Sequence, residues 1–554
     1  MFADCLAIMR RQPCLPRLGL ALLIGLFATR IHSLSESWMG QNWVQRTKAR
    51  PELEWDWGHT WSTVEVDRQP VSQLLQGVLG SYRFTLPRSQ LQRGTAYVGA
   101  SSRLRRLMRD MILPREQKDF KVAVIGGSIS FGQYTSKLGE TDWFSILSKW
   151  LIAAFPRANV TIRNGCTPGI PTPYMIMCLE LSVDPDVDLV FMEYTLNDGM
   201  DGGLFGNRVV MDTERLLRRI LALPHQPAVV MMHVPLHGMA SYPSGHPKNP
   251  NNDIYLNFYQ TTEDAQGALA QYYDVQYLSL RTALYRLAAH KDIPGFRWED
   301  LFVDHHPGDA GHKVMADLAI HLLQRTALGL LMEPFGQQDA EAAAEPLPPP
   351  MYPGNFPPTS PMCLVGEPFK SLVVMAEGFE YINEGTPTKP KFGYVALRPG
   401  SRLQLRLDTD RSAVGAKPDE SVNVYLHHLR SYAHMGTATV SCMSGCSCPM
   451  IEINAHISER VSQVYMSMLV ASQSRECVLE VQVLDKTSSG ENKFKVTGIV
   501  VSERAGRSDV MERLGGDNAA FGLRQHNGDT TQMVWTKDGI KGGEDTTKRR
   551  RRGG

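Results

Sequence analysis

The run Lys121–Ser130, KVAVIGGSIS, joins an apolar segment to a glycine turn and a serine. Its first half is typical of a strand that helices cover on both faces of a parallel sheet. Gly126 and Gly127 allow the chain to turn sharply and to present the Ser128 hydroxyl at the carboxyl end of the sheet. Ligands of open α/β sheets gather at that edge, so Ser128 is a candidate nucleophile.

Two simpler interpretations of this turn remain, a plain strand-to-helix connection and a phosphate-binding loop. The phosphate interpretation is the weaker one, because neither G-x-x-x-x-G-K nor G-x-G-x-x-G surrounds Ser128. The turn alone therefore does not assign a function.

Outward from this run, apolar strands alternate with amphipathic helices from about 96 to 332. The predicted strands are Lys121–Ile125, Asn159–Arg163, Val187–Glu193 and Ala228–His233. The predicted helices are Ser102–Met111, Trp143–Phe155, Asp212–Ala222 and Thr262–Tyr273. This alternation predicts an α/β domain with a doubly wound, mainly parallel sheet.

Composition divides the rest of the chain. Residues 36–95 lack periodicity and predict an irregular stem, and the Pro- and Ala-rich segment 333–361 predicts an extended linker. Short β-rich runs between turn signals over 362–504 are typical of a jelly-roll-like β-sandwich. The polar segment 505–554 ends in KRRRRGG and predicts a disordered basic tail, with a nuclear or anion-binding tag as the alternative.

The N-terminal segment 1–35 has the pattern of a targeting sequence. Three arginines precede the apolar run LGLALLIGLFA, Leu18–Ala28, which is short for a membrane span of roughly 20 residues. We therefore expect a cleaved signal peptide or a signal anchor, and a location in the secretory pathway, either extracellular or in the Golgi lumen. An organellar transit peptide and a buried helix are the alternatives. A membrane contact is expected only if this segment is retained as an anchor.

Length and charge set further bounds. With 554 residues, of which 43% are hydrophobic, the chain is expected to form two or three globular domains. Lys and Arg total 58 against 57 Asp and Glu, and this balance gives no field that would attract nucleic acid. No nucleic-acid partner is expected.

Cysteine usage fits an oxidising compartment. Of nine cysteines, Cys5 and Cys14 fall in the targeting segment, and the odd remainder would leave at least one thiol free or intermolecular. The C-x3-C-x-C group of Cys442, Cys446 and Cys448 matches no standard zinc motif, so disulfides are favoured over zinc there.

Four segments together resemble the SGNH or GDSL family of serine hydrolases over roughly 120–325, and the first three include or directly follow a predicted strand. The family has a serine in its first block, a glycine in its second, an asparagine in its third and an Asp-x-x-His pair in its last. The matching segments are VIGGSIS with Ser128, NGCTPGIPTPYM with Gly169, DLVFMEYTLND with Asn197, and VDHHPGDAGH with His306.

The resemblance implies a role for each residue. Ser128 is the expected nucleophile, and His306 the base that takes its proton. The backbone N–H groups of Ser128 and Gly169 and the Asn197 amide would stabilise the oxyanion. The resemblance thus predicts hydrolysis of an acyl ester, with an acetyl ester of a polysaccharide or glycoprotein glycan as one substrate, and it implies no cofactor or metal ion.

The sequence departs from the family pattern at two points. Gly127 replaces the aspartate of the usual Gly-Asp-Ser, and Val303 occupies the position of the family's acid. Asp304, two residues before His306, is then the candidate that orients the imidazole. If Asp304 only caps the next helix, a backbone carbonyl could hold the base, and His305 is the alternative base.

Other functions remain open at this level. An O-acyltransferase would use the same residues, and an inactive domain would leave a sugar-binding or adhesion protein, with Tyr394, Tyr425 and Tyr432 as candidates to stack on sugars. Glu193 and Asp198 could form the acid pair of a glycosidase, but the serine and histidine would then be unexplained. Asp309 and His312 are too few for a convincing metal site.

Overall fold

The computed structural model describes residues 77–80, 82–114, 118–198, 206–235, 262–289, 296, 300–303, 305–357, 362–386, 390–458, 460, 462–505 and 533–541. Contacts divide the chain into the units Met1–Ser72 and Gln73–Gly554, and all described residues belong to the second unit. The predicted targeting segment and most of the predicted stem lie outside the described residues.

The secondary structure elements are as follows. The first strands are β1 Thr95–Tyr97, β2 Asp119–Gly126, β3 Asn159–Asn164, β4 Leu189–Glu193, β5 Ala228–His233 and β6 Gln276–Ser279. The later strands are β7 Met362–Val365, β8 Val373–Glu377, β9 Phe379–Asn383, β10 Phe392–Ala396, β11 Arg402–Leu407, β12 Val422–Ser431, β13 Thr437–Ser444, β14 Ile451–Asn454, β15 Ser462–Ala471, β16 Cys477–Val483, β17 Phe494–Ala505, β18 Val534–Thr536 and β19 Gly539–Lys541. The helices are α1 Arg88–Gly94, α2 Ser102–Ile112, α3 Ser128–Phe131, α4 Trp143–Ala154, α5 Thr172–Cys178, α6 Thr195–Asp198, α7 Arg208–Leu221, α8 Thr262–Tyr273, α9 Leu280–Ala289, α10 Asp309–Met332 and α11 Gln337–Ala344.

The first domain is built on one sheet with strand order β1-β6-β5-β4-β2-β3-β18-β19. Strands β3, β2, β4, β5 and β6 run parallel, whereas β1 and β18 are antiparallel additions at the two sides. Because β2 pairs with both β3 and β4, the chain order reverses direction at β2, and the carboxyl ends of β2 and β4 flank the switch point where ligands of such sheets bind. The predicted doubly wound α/β class is confirmed, as are the four strands and four helices predicted from the alternation.

Helices cover both faces of this sheet. Helix α10 packs against α2 and α4 on one side, and α7 packs against α5 and α8 on the other. In the described part of the chain, α10 alone has the length and apolarity of a membrane span, but most of it is buried inside the domain, as befits a core helix.

The second domain is the predicted β-sandwich. One sheet has the order β15-β12-β17-β10-β9, with β7 also pairing with β17, and the other has the order β14-β13-β16-β11-β8. Alternate side chains of both sheets, among them Leu403, Leu405, Val424 and Leu426, meet in a separate hydrophobic core.

The tail prediction is wrong for residues 533–541. Strands β18 and β19 form a hairpin, and β18 pairs with β3 at the edge of the first sheet. Trp535 is only 1% exposed and meets the Phe144 ring edge-on at 5.7 Å between centroids. A three-residue strand has too little periodicity to stand out in a polar, Gly-rich segment, so only its burial reveals it.

Residues 333–357, the described part of the predicted linker, are bound to the first domain rather than freely extended. Its first part forms α11, and its later part lies against α7. There the Glu214 carboxylate accepts hydrogen bonds from the Met351 N–H and from Asn355 Nδ2, the latter at 2.7 Å. The Arg218 guanidinium donates to the Pro348 carbonyl at 2.6 Å. These contacts hold the connection between the two domains in place.

Cysteine pairing follows the expectation of disulfides with one thiol left over. The described cysteines form the pairs Cys178–Cys363, Cys442–Cys448 and Cys446–Cys477. Cys166 is buried and free. The zinc alternative is therefore wrong, because all three cysteines of the C-x3-C-x-C group are consumed by disulfides.

Candidate active site

The candidate nucleophile stands where the sequence predicted it. Ser128 begins the short helix α3 directly after β2, at the switch point of the sheet. Its Oγ lies 2.7 Å from Nε2 of His306. Ser128 is 7% exposed and His306 5%, so the hydrogen bond between them is largely shielded from bulk water. The two residues are 178 positions apart in sequence, and only the fold brings them together.

Glu193 contacts the serine turn through both its backbone carbonyl and its side-chain carboxyl. Its backbone carbonyl accepts from the Gly127 N–H at 3.3 Å, and a Cβ on Gly126 would lie 2.4 Å from that oxygen. Its carboxyl oxygen Oε2 accepts from the Ser130 N–H at 3.2 Å and from Ser130 Oγ at 3.0 Å. Burial raises the pKa of Glu193 to about 8, so the carboxyl is uncharged at neutral pH.

His306 is positioned by a tight loop before α10. Phe302 and Pro307 form an antiparallel bridge across this loop, and the Val303 N–H donates to the His306 carbonyl at 2.9 Å. Val303 occupies the position of the family's acid, and its side chain is 49% exposed. The loop therefore presents His306 to the serine without help from that position.

Two further rings contact the His306 imidazole. The His305 ring lies 4.1 Å from it and the Tyr134 ring 5.2 Å from it, measured between centroids. The hydrogen bond to Ser128 is made by His306, which favours it over His305 as the base. Asp304, the predicted orienting acid, lies outside the described residues. Tyr134 was not among the predicted site residues, because no motif marks it; it has φ of 67° and is half-exposed.

Gly169 lies in a turn that is attached to the end of β2. The Thr167 N–H donates to the Gly126 carbonyl at 3.0 Å, and the Ile170 N–H closes the turn on the Thr167 carbonyl at 3.3 Å. Proline at the second position and φ of 79° at Gly169, the third, are typical of a type II turn. Glycine is the residue that this backbone conformation favours, and Gly169 itself is exposed in the turn.

Asn197 lies on α6, just after β4, with its side chain against the nucleophile turn. A Cβ on Gly127 would come within 1.7 Å of Asn197 Oδ1 and 2.6 Å of its Cγ. In this packing a Cβ at position 127 would displace the Asn197 amide, so glycine rather than the family's aspartate fits here. The structure thus brings Ser128, His306 and Asn197 to one edge of the sheet.

The carboxyls considered for a glycosidase pair are engaged elsewhere. Glu193 binds Ser130, as described above. The Asp198 carboxylate accepts from the Thr172 N–H at 2.7 Å and from Thr172 Oγ1 at 2.5 Å. Both acids therefore organise the turns around Ser128, a role that the sequence reasoning did not assign to them.

The residues considered as a metal pair serve separate hydrogen-bond networks. Asp309 accepts from the Ser136 N–H at 2.8 Å and from Thr141 Oγ1 at 2.9 Å. His312 is fully buried, and its Nδ1 accepts from the Trp143 N–H at 3.3 Å. Burial lowers the pKa of His312 to about 3, so it is neutral. The two side chains therefore have different hydrogen-bond partners.

The three tyrosines considered for sugar stacking differ in exposure. Tyr425 is 2% exposed and Tyr394 is 9% exposed, so both belong to packed interiors and the stacking prediction is wrong for them. Tyr432, at 49%, is accessible to a ligand.

Comparison with known proteins shows which solved structures have a similar fold. No protein-family model matches this chain, and no curated protein does. Among solved structures, a two-domain esterase (CEX) active on acetylated mannans superposes with a TM-score of 0.52 at 18% identity, covering 75% of this chain and 99% of that one. Its structure co-crystallized with mannopentaose gives 0.52 at 17% identity, covering 77% and 100%.

This likeness extends over both domains and shows the fold. The first domain has the SGNH-like hydrolase fold, and it is followed by a C-terminal β-sandwich.

Proposed function

We propose that this protein is a serine ester hydrolase of SGNH type, with Ser128 as nucleophile and His306 as general base. The observation that carries the proposal is the 2.7 Å contact between Ser128 Oγ and His306 Nε2 at the switch point of the sheet. A serine hydroxyl is a weak nucleophile at neutral pH, and a neutral imidazole at this distance can take its proton during attack.

The reaction follows from these positions. Ser128 Oγ bonds to the ester carbonyl carbon as its proton passes to His306, and the carbonyl electron pair moves onto oxygen. Collapse of this intermediate expels the alcohol, which takes the proton from His306 and leaves an acyl-serine. Water then attacks in the same way, and the carboxylic acid departs as Ser128 regains its proton.

The oxyanion that forms in both steps needs hydrogen-bond donors to stabilise it. We assign the backbone N–H groups of Ser128 and Gly169 and the side-chain amide of Asn197. Losing one such donor typically costs about 10² to 10³ in kcat. We assign Asp304 to orient the His306 imidazole, with a backbone carbonyl as the alternative.

We further propose an acetyl ester on a polysaccharide as the substrate. The support is the overlap of both domains with an esterase active on acetylated mannans, of which nearly the whole length is covered. Three disulfides among the described cysteines suit the oxidising secretory or extracellular location expected from the targeting segment.

The test uses the full chain on acetylated mannan and on p-nitrophenyl acetate. We expect acetate release and hydrolysis that Ser128→Ala abolishes, together with labelling of Ser128 by a fluorophosphonate. Thr326→Ala, in the buried helix α10 away from the site, is the matched hydroxyl-removing control. Transfer of acetyl to a sugar hydroxyl without hydrolysis would assign an O-acyltransferase instead. Folded protein that never labels at Ser128 would refute the enzymatic proposal and leave the sugar-binding alternative.

A further inference from the structure

Helix α5 joins the candidate oxyanion hole to the β-sandwich. Its first residue, Thr172, is three positions after Gly169, and its last residue, Cys178, is bonded to Cys363 on β7 of the sandwich. The disulfide spans 185 residues of sequence and links the two domains covalently.

Two of the proposed oxyanion donors, Gly169 and Asn197, are connected to the N-terminal end of α5. Gly169 precedes it on the same short segment. Asn197 is adjacent to Asp198, whose carboxylate binds the Thr172 N–H and hydroxyl at 2.7 and 2.5 Å. Any displacement of α5 along or about its axis would therefore move the Gly169 turn and the Asn197 segment together.

The body of α5 is packed between the two domains. Tyr174 is 3% exposed, and its ring stacks on that of His427 in β12, with centroids 6.1 Å apart and planes within 22°. Ile176 and Met177 belong to one continuous hydrophobic cluster with sandwich residues that include Met466. The sandwich thus packs directly against one side of this helix.

The Ser128–His306 pair is held by different contacts. Ser128 is fixed by β2 and by Glu193, and His306 by the loop before α10. None of these named contacts comes from α5. A displacement of α5 is therefore expected to act on the outer oxyanion donors first, although the Gly169 turn is also attached to the end of β2 through the Thr167 N–H.

We propose that the β-sandwich, through the Cys178–Cys363 disulfide, positions the oxyanion donors Gly169 and Asn197 for catalysis. This inference rests on the proposed ester hydrolase function. It makes Cys178 and Cys363 positioning residues: neither touches substrate, and both act through α5.

The proposal is tested in the full chain with the double variant Cys178→Ala/Cys363→Ala, using p-nitrophenyl acetate. An interaction made only with the developing oxyanion lowers kcat and leaves KM in place, so we expect kcat to fall about tenfold with KM within about twofold. The pH profile of kcat should keep its shape, because the support of His306 is untouched. The matched control is Cys442→Ala/Cys448→Ala, which removes a disulfide within the sandwich and should keep kcat.

Melting curves establish that each variant is folded at the assay temperature. Thr172→Val, which removes the hydroxyl bonded to Asp198 but keeps the three described disulfides, tests the step from α5 to Asn197 and should lower kcat in the same way. His427→Leu, which removes the sandwich ring stacked on Tyr174, tests the step from the sandwich to α5 and decides the matter if the double variant does not fold. Wild-type kcat in the folded double variant, in Thr172→Val or in His427→Leu would overturn the proposal, as would a change in the pH profile. If the wild-type protein shows no hydrolysis that depends on Ser128, the proposed function itself is refuted. That outcome is seen in the wild type and Ser128→Ala, before the disulfide variants are compared.

Discussion

The Asn197 side chain lies directly against the Cα of Gly127, so that a Cβ there would stand 1.7 Å from Asn197 Oδ1. Gly127 has extended backbone with φ of −93°, a conformation open to any residue. The requirement for glycine is therefore spatial, and it arises from a side chain 70 positions away that is proposed to bind the oxyanion.

Gly127→Ala should consequently reduce catalysis much more than stability. The added methyl group pushes the Asn197 amide out of place, and we expect kcat on p-nitrophenyl acetate to fall by about 10². Gly329→Ala, on α10 with open space around its Cα, is the control and should retain activity. Gly127→Ala with wild-type kcat would mean that Asn197 has no part in the reaction.

His306→Ala and His305→Ala separate the two histidines of the loop. General-base catalysis contributes typically about 10² to 10⁴, so we expect a loss of that size for His306→Ala and a loss under about tenfold for His305→Ala. Steady-state kinetics on p-nitrophenyl acetate measures both. The reverse order of effects would make His305 the base and contradict the geometry at Ser128.

The buried Glu193 carboxyl should make stability depend on pH. Burial raises its pKa in the folded protein to about 8 from an ordinary value of 4.5, so between these values the folded state keeps a proton that the unfolded state has lost. Stability is therefore highest below pH 4.5 for this group and falls as pH rises toward 8.

Glu193→Gln, which stays neutral and still accepts from Ser130, removes this dependence. We expect the melting temperature of the variant, relative to wild type, to rise between pH 5 and pH 8. A difference that stays constant over this range would show that Glu193 does not titrate there.

Tyr134 should contribute more to the hydrolysis of acetylated mannan than to that of the smaller p-nitrophenyl acetate. Its half-exposed ring contacts His306 at the opening of the site, where an aromatic face can pack against a sugar ring. For Tyr134→Ala we expect kcat/KM on acetylated mannan to fall about tenfold, with a smaller loss on p-nitrophenyl acetate. Tyr432→Ala, an equally exposed tyrosine on the sandwich, is the comparison. Equal losses on both substrates would point to shielding of His306 instead.

Trp535 should stabilise the first domain although it lies in the C-terminal tail. It is buried against Phe144 at the sheet edge, and removal of a buried tryptophan typically costs about 3–5 kcal/mol of the free energy of unfolding. Trp535→Ala should therefore lower the urea midpoint clearly, while Ile540→Ala, on the exposed side of the hairpin, should change it little. Equal midpoints for wild type and Trp535→Ala would show that the hairpin does not hold in solution.

The α/β class and the glycine turn that carries Ser128 were predictable from local pattern, because strands buried on both faces are apolar throughout and parallel strands bring their carboxyl ends to one edge. Gly169, Asn197 and His306 were named through the resemblance to a family whose blocks follow a fixed order. Their roles in the site stay predictions.

Contacts between distant residues were decided only by the tertiary structure. The pairing of Cys178 with Cys363, the burial of Trp535 against Phe144, and the need for glycine at position 127 each depend on a partner far away in sequence. No periodicity or motif encodes such a partner. The KVAVIGGSIS run thus predicts where the serine stands, whereas packing between domains determines what surrounds it, because packing depends on the three-dimensional approach of segments rather than on their order.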